Sequence, residues 1–115
     1  VEPDVFIAGD EGAVRQIASI LLDNAVKYAD QGGEIAVSLI GGRRPVLSVE
    51  NDYSAVNELA LSRLFDRFYR ADPARTGDGS HGLGLSIARS IAETHRASIR
   101  AEKAGEGRLR LRVRF

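Results

Sequence analysis

Three stretches of this 115-residue chain hold residues whose types and spacing could do chemistry. The first is LLDNAVKY (21–28), with Asn24 and Lys27 one helical turn apart. Residues spaced in this way lie on one side of a helix. Lys27 can neutralise phosphate, and Asn24 can lend a carbonyl oxygen to Mg²⁺, which prefers oxygen ligands and shares its shell with waters and phosphates. The second is HGLG (81–84), where Gly82 and Gly84 stand directly before a helical pattern. Glycine lets a ligand approach the backbone closely, and the first helical turn offers unpaired N–H groups and partial positive charge. The third is FDRFYR (65–70), a run of aromatic and basic residues. Each is a weak signal alone, because a single asparagine on the border of an apolar stripe usually serves the core. Together they favour a site for nucleotide phosphates.

The elements that must position these residues follow from apolar periodicity. Val14, Ile17, Ala18, Leu21, Leu22 and Ala25 recur at steps of three and four, which predicts a helix over 10–29. Asp10 is placed as its N-cap, and the DQGG of 30–33 as its stop. Strands are expected at 5–8, 34–40, 46–50, 98–102 and 108–115. A hairpin loop is expected at 41–45, a break at 51–54, a short helix at 60–65, a second long helix at 84–94 and a turn at 103–107. Residues 71–80 form a loop long enough to act as a lid. Helices on one face of a mixed, mostly antiparallel sheet of about five strands make an α+β fold, a two-layer α/β sandwich. In the last strand arginine alternates with Leu109, Leu111 and Val113, which marks a solvated face opposite the helices ahead of the alternative, an anion site.

Composition narrows the partners. The chain is 43% hydrophobic and 28% charged, with 16 basic and 16 acidic residues, so no net field draws it to nucleic acid. It contains no cysteine, which excludes disulfides and thiolate metal sites. No apolar run approaches a membrane span, so no direct membrane contact by this domain is expected. The length suits one domain over 1–115, and the absence of an initial methionine suggests a piece excised from a longer protein.

At this point a family resemblance is visible. LLDNAVKY (21–28) resembles the N box, LFDRFYRAD (64–72) the phenylalanine box, and GLGLSI (82–87) the second glycine box of the ATP-binding catalytic domain of bacterial sensor histidine kinases, in the GHKL group with its Bergerat-type fold. The resemblance implies ATP and Mg²⁺ as cofactors and Asn24 as metal ligand. It implies that Asn24 and Lys27 serve catalysis, with Tyr28, Arg70, Gly82, Leu83, Gly84 and Leu85 around the phosphates and residues 71–80 as the ATP lid. His81 either touches phosphate or ends that lid. The implied activity is donation of the γ-phosphate to a histidine on a separate dimerisation domain of the same protein, with a response regulator downstream. The implied location is a cytoplasmic domain of a protein anchored in the inner membrane. His95, at the end of the second helix, suits a helix cap or dipole partner.

The chain departs from the family pattern at 51–55. There the adenine-reading aspartate becomes Asn51, and two glycines become Tyr53 and Ala55. Asp52 is one residue away, and on a strand it would face the opposite side. An asparagine carries both donor and acceptor, so Asn51 would separate ATP from GTP less well than an aspartate. Ile20 occupies the place where ATP-hydrolysing relatives carry a water-activating glutamate, and HRA (95–97) lacks the usual glycines. These departures keep a second reading open, a degenerate nucleotide-sensing or protein-binding module without kinase activity.

Overall fold

The computed structural model describes residues 11–29, 32–54, 56, 60–67, 84–105 and 107–115. Helix α1 spans Glu11–Tyr28 and buries Ile17, Leu21 and Ala25, the i, i+4, i+8 line of the apolar stripe. Glu11 in its first turn and Lys27 in its last both complement the helix dipole. Strands β1 (Ile35–Ile40) and β2 (Val46–Asp52) form a hairpin, and Gly42 in its loop takes a φ of 125° that other residues avoid. Helix α2 spans Gly84–Thr94, followed by strands β3 (Ser98–Lys103) and β4 (Arg108–Arg114). The four strands lie in the order β1-β2-β4-β3, and every pairing is antiparallel. The expected strand at 5–8 and the N-cap Asp10 lie outside the described residues.

Alternation along the strands separates the two faces. Leu47, Val49, Leu109, Leu111 and Val113 are buried against α1 and the 61–65 segment in one core. The opposite face carries an ionic lattice, so the arginines of β4 do line a solvated face. Arg108 meets Asp52 at 2.9 Å and Glu50 at 3.5 Å, while Arg110 meets Glu50 at 2.6 Å and Glu102 at 3.2 Å. The Glu50 and Glu102 carboxylates push the Arg110 guanidinium up from its ordinary value. Burial pushes the Glu102 carboxyl up, but hydrogen bonds and charge from Arg110 and Arg112 outweigh it and hold this carboxyl below its ordinary value.

Two expectations change. The break expected at 51–54 begins two residues later, because β2 continues through Asn51 and Asp52, which pair with Leu109 and Arg108 of β4. Neighbouring strands supply the ladder partners that override the turn preference of both residues. The short helix expected at 60–65 is a single 3₁₀ turn, Leu61–Arg63, with Leu64 and Phe65 buried just after it. Among the described residues no helix is long and apolar enough to cross a membrane.

Candidate functional site

Helix α1 carries Asn24 to the border of the core. Its Oδ1 is buried and has no hydrogen-bond partner among the described residues. A buried acceptor left unpaired costs about 1–3 kcal/mol, so the position is expensive unless something outside the chain meets it. An amide oxygen held in this way fits an oxygen-seeking cation such as Mg²⁺. Lys27 follows one turn later, with its ammonium 5.9 Å from the centroid of the Tyr28 ring, within cation–π reach. Both side chains are half-buried.

Helix α2 brings its N-terminus to the same place. A Cβ built on Gly84 would stand 3.7 Å from Ile20 Cγ2, so the glycine turn packs against α1 one turn before Asn24. Asn24 is then about 6 Å further along the α1 axis. The first turn of α2, which includes Leu85, has backbone N–H groups without intrahelical partners and the positive end of a dipole. The sequence motifs that hold Asn24, Lys27 and Gly84 are therefore adjacent in space.

Strand β2, which packs against α1, ends in Asn51 and Asp52. Asn51 is 1% exposed and Tyr53 3% exposed, so both side chains belong to the interior. Asn51 Nδ2 donates to the Asp52 carbonyl oxygen at 3.1 Å, which gives the amide a preferred orientation. Asp52 points to the other face, as strand alternation requires. Its Oδ2 accepts the Glu34 N–H at 2.8 Å and its Oδ1 meets Arg108 at 2.9 Å, so it belongs to the outer lattice and not to the interior.

The segment after β2 is anchored by Phe65, which is buried in the core, and by Asp66, whose carboxylate lies 3.6 Å from Arg63 and 3.7 Å from Arg89 of α2. This link from the aromatic run to α2 was not foreseen from sequence, since Asp66 and Arg89 are far apart in the chain and show no shared pattern. Arg70, His81, Gly82 and Leu83, and the lid expected at 71–80, lie outside the described residues. His95 caps its helix as expected, with Nδ1 2.8 Å from the Ile91 carbonyl oxygen.

With this geometry in place, comparison with known proteins is direct. The profile of the histidine kinase-, DNA gyrase B-, and HSP90-like ATPase family matches residues 9–115. The sensor protein DltS of Streptococcus agalactiae serotype III (strain NEM316) is 40% identical over 116 residues, covering 100% of this chain and 29% of that protein. The chain thus spans under a third of that relative's length. Among solved structures, the mycobacterial sensor histidine kinase MprB superposes with a TM-score of 0.80 at 21% identity, over 95% of this chain and 75% of that one. Full-length ShkA, in complex with AMPPNP, superposes with a TM-score of 0.78 at 23% identity, over 98% of this chain and 23% of that one. At these identities the two structures attest the fold, and the profile match attests the family. The chain belongs to the histidine kinase-, DNA gyrase B-, and HSP90-like ATPase family, and within it to the catalytic domains of sensor histidine kinases.

Proposed function

We propose that this domain binds Mg·ATP between α1, the Asn51 end of β2 and the first turn of α2, and presents the γ-phosphate to a histidine on a separate dimerisation domain of the same protein. The observation that carries the reading is the buried, unpartnered Oδ1 of Asn24, one turn from the point where Gly84 meets α1. Asn24 would hold the cation, and Mg²⁺ supplies positive charge against the phosphates when bound. Lys27 adds a second positive charge on the same side. Gly84 keeps the α2 N-terminus open to phosphate oxygens, with Leu85 and, by family resemblance, His81, Gly82 and Leu83 continuing that cradle. Tyr28 and Arg70 flank it on the same grounds. Ile20 offers no base to activate water, which suits transfer to another domain better than hydrolysis. Catalysis of this kind is mainly positioning and charge stabilisation. A response regulator downstream, and a parent protein that keeps this domain cytoplasmic while anchored in the inner membrane, complete the proposal.

A second reading has one observation in its favour. Asn51 and Tyr53 are almost wholly buried, as they would be if the base end of the crevice had closed in a protein-binding module. Titration of Mg·ATP separates the two. Saturation at one hundred times the dissociation constant would add about 2.7 kcal/mol of stability. Asn24→Ala should abolish Mg²⁺-dependent ATP binding in calorimetry and raise the melting temperature of the free domain, because it removes an unsatisfied acceptor. Unchanged affinity, or a fall in melting temperature, would make Asn24 a structural residue.

A further inference from the structure

The ionic lattice on the outer face of the sheet stops short. Toward Asp52 its charges alternate, with Arg108 and Arg110 placed among Asp52, Glu50 and Glu102. Toward the other end the carboxylates of the described residues run out. Arg112 shares Glu102 Oε1 with Arg110, each at 3.2 Å, and beyond it stand Arg100 and Arg114, which form no ion pair among the described residues. Arg100 is the direct cross-strand partner of Arg112, a like-charge pairing that sheets avoid unless an anion lies between. These three arginines, with Glu102, Ser98 and Val46, line a shallow groove of about 130 Å³. The 41–45 loop is tied to the end of β4, since Pro45 accepts the Phe115 N–H at 2.9 Å and Arg44 Nε donates to the Phe115 carbonyl oxygen at 3.1 Å.

We propose that this groove docks an acidic segment of a protein partner, whose carboxylates continue the lattice past Glu102. The lattice itself shows the mode of recognition. Glu102 seats one carboxylate oxygen between two guanidinium groups of β4, and one rung on, Arg100 takes the place of Glu102, so Arg100, Arg112 and Arg114 line the groove together. Guanidinium forks suit planar carboxylates, and their weak hydration makes them good interface cations. A lipid surface fits less well, because the groove offers Val46 as its one large apolar residue among those described, too little to enter a bilayer. Nucleic acid fits less well because no aromatic side chain among the described residues lines the groove for stacking.

The test uses the 115-residue chain, a hexaglutamate peptide, and amide chemical shifts read by nuclear magnetic resonance. In about 50 mM salt, where screening is modest, the peptide should shift residues 98–102 and 112–114 in a saturable way, and added salt should weaken it. Arg100→Gln with Arg114→Gln should lower its affinity about fivefold or more and leave Mg·ATP binding as it was. Arg100→Glu would supply the missing carboxylate from within the chain, so it should abolish peptide binding and raise the melting temperature. The proposal is overturned if the shifts fall elsewhere, if the double variant binds equally well, or if Arg100→Glu lowers the melting temperature. It is also overturned if anionic phospholipid vesicles or inorganic phosphate compete for these residues better than the peptide.

Discussion

Asn51 has committed a donor to the chain before any ligand arrives. Its Nδ2 hydrogen bond to the Asp52 carbonyl oxygen disfavours the flipped amide, since a flip would set two oxygens face to face. If Asn51 reads the base, as proposed, it does so through Oδ1, an acceptor, which suits the amino group of adenine and repels the carbonyl oxygen of guanine. The sequence alone left both orientations open. Losing the internal bond costs about 0.5–1.5 kcal/mol, so the folded chain should already prefer ATP to GTP by several-fold. Asn51→Asp should raise that ratio by only about a further two- to tenfold, and should destabilise the free domain by about 1–3 kcal/mol because a buried oxygen replaces the donor. Titrations with both nucleotides and urea unfolding of both proteins measure these effects. If Asn51→Asp left both affinities untouched, the base would be read elsewhere. The place of Asn24 was legible from its phase on the apolar stripe, and the outward turn of Asp52 from strand alternation. The burial of Asn51 was not, because it depends on β2 continuing beside β4.

At the scale of the element, the two long helices were read to within a residue or so and the end of β2 less closely, for a physical reason. Helical periodicity is written in one continuous segment, whereas a strand ends where its partner ends. The end of α2 shows what a missing glycine does. Arg96 takes a φ of 59°, the left-handed conformation. The Ala97 N–H donates to the Ala92 carbonyl oxygen at 2.8 Å, and the Arg96 N–H to that of Glu93 at 3.2 Å. These bonds close the helix in the manner that normally calls for glycine at this position. A side chain held left-handed costs about 1–2 kcal/mol, partly offset by the greater unfolded freedom of glycine. Arg96→Gly should therefore stabilise the domain by about 0.5–1 kcal/mol, visible in urea unfolding, with no change in nucleotide affinity. A loss of stability would mean that the Arg96 side chain contributes more than its backbone costs.

For the whole molecule, the two-layer architecture was legible because both faces of the sheet are marked, apolar toward the helices and charged away from them. Which charges pair across the strands was not, since register depends on long-range contacts. The lattice gives the domain a pH dependence of definite sign. Glu102 binds protons less readily folded than unfolded, so its contribution is complete above its ordinary pKa of 4.5 and is lost as pH falls through the lower folded value. The side chain is 37% exposed, so the effect is that of a screened surface pair, about 0.2–1 kcal/mol. Glu102→Gln should lower stability by that amount at pH 7 and by less at pH 3, as followed by urea unfolding at both values. An equal gap at both would assign the loss to packing and not to charge.

Strand order also divides the chain into two helix-plus-hairpin halves, α1-β1-β2 and α2-β3-β4, joined in the sheet by the single seam between β2 and β4. Asn24 and Asn51 belong to the first half and Gly84 to the second, so the proposed site draws on both. Slipping β2 along β4 by one residue would move the halves by about 3.4 Å and turn Asn51 from the interior to the outer face. The contacts that oppose such a slip include the pairs Arg108–Asp52 and Arg110–Glu50, which cross the same seam on its outer face. The charges turned away from the nucleotide thus act as a key for register, and hold in alignment the residues that would meet it.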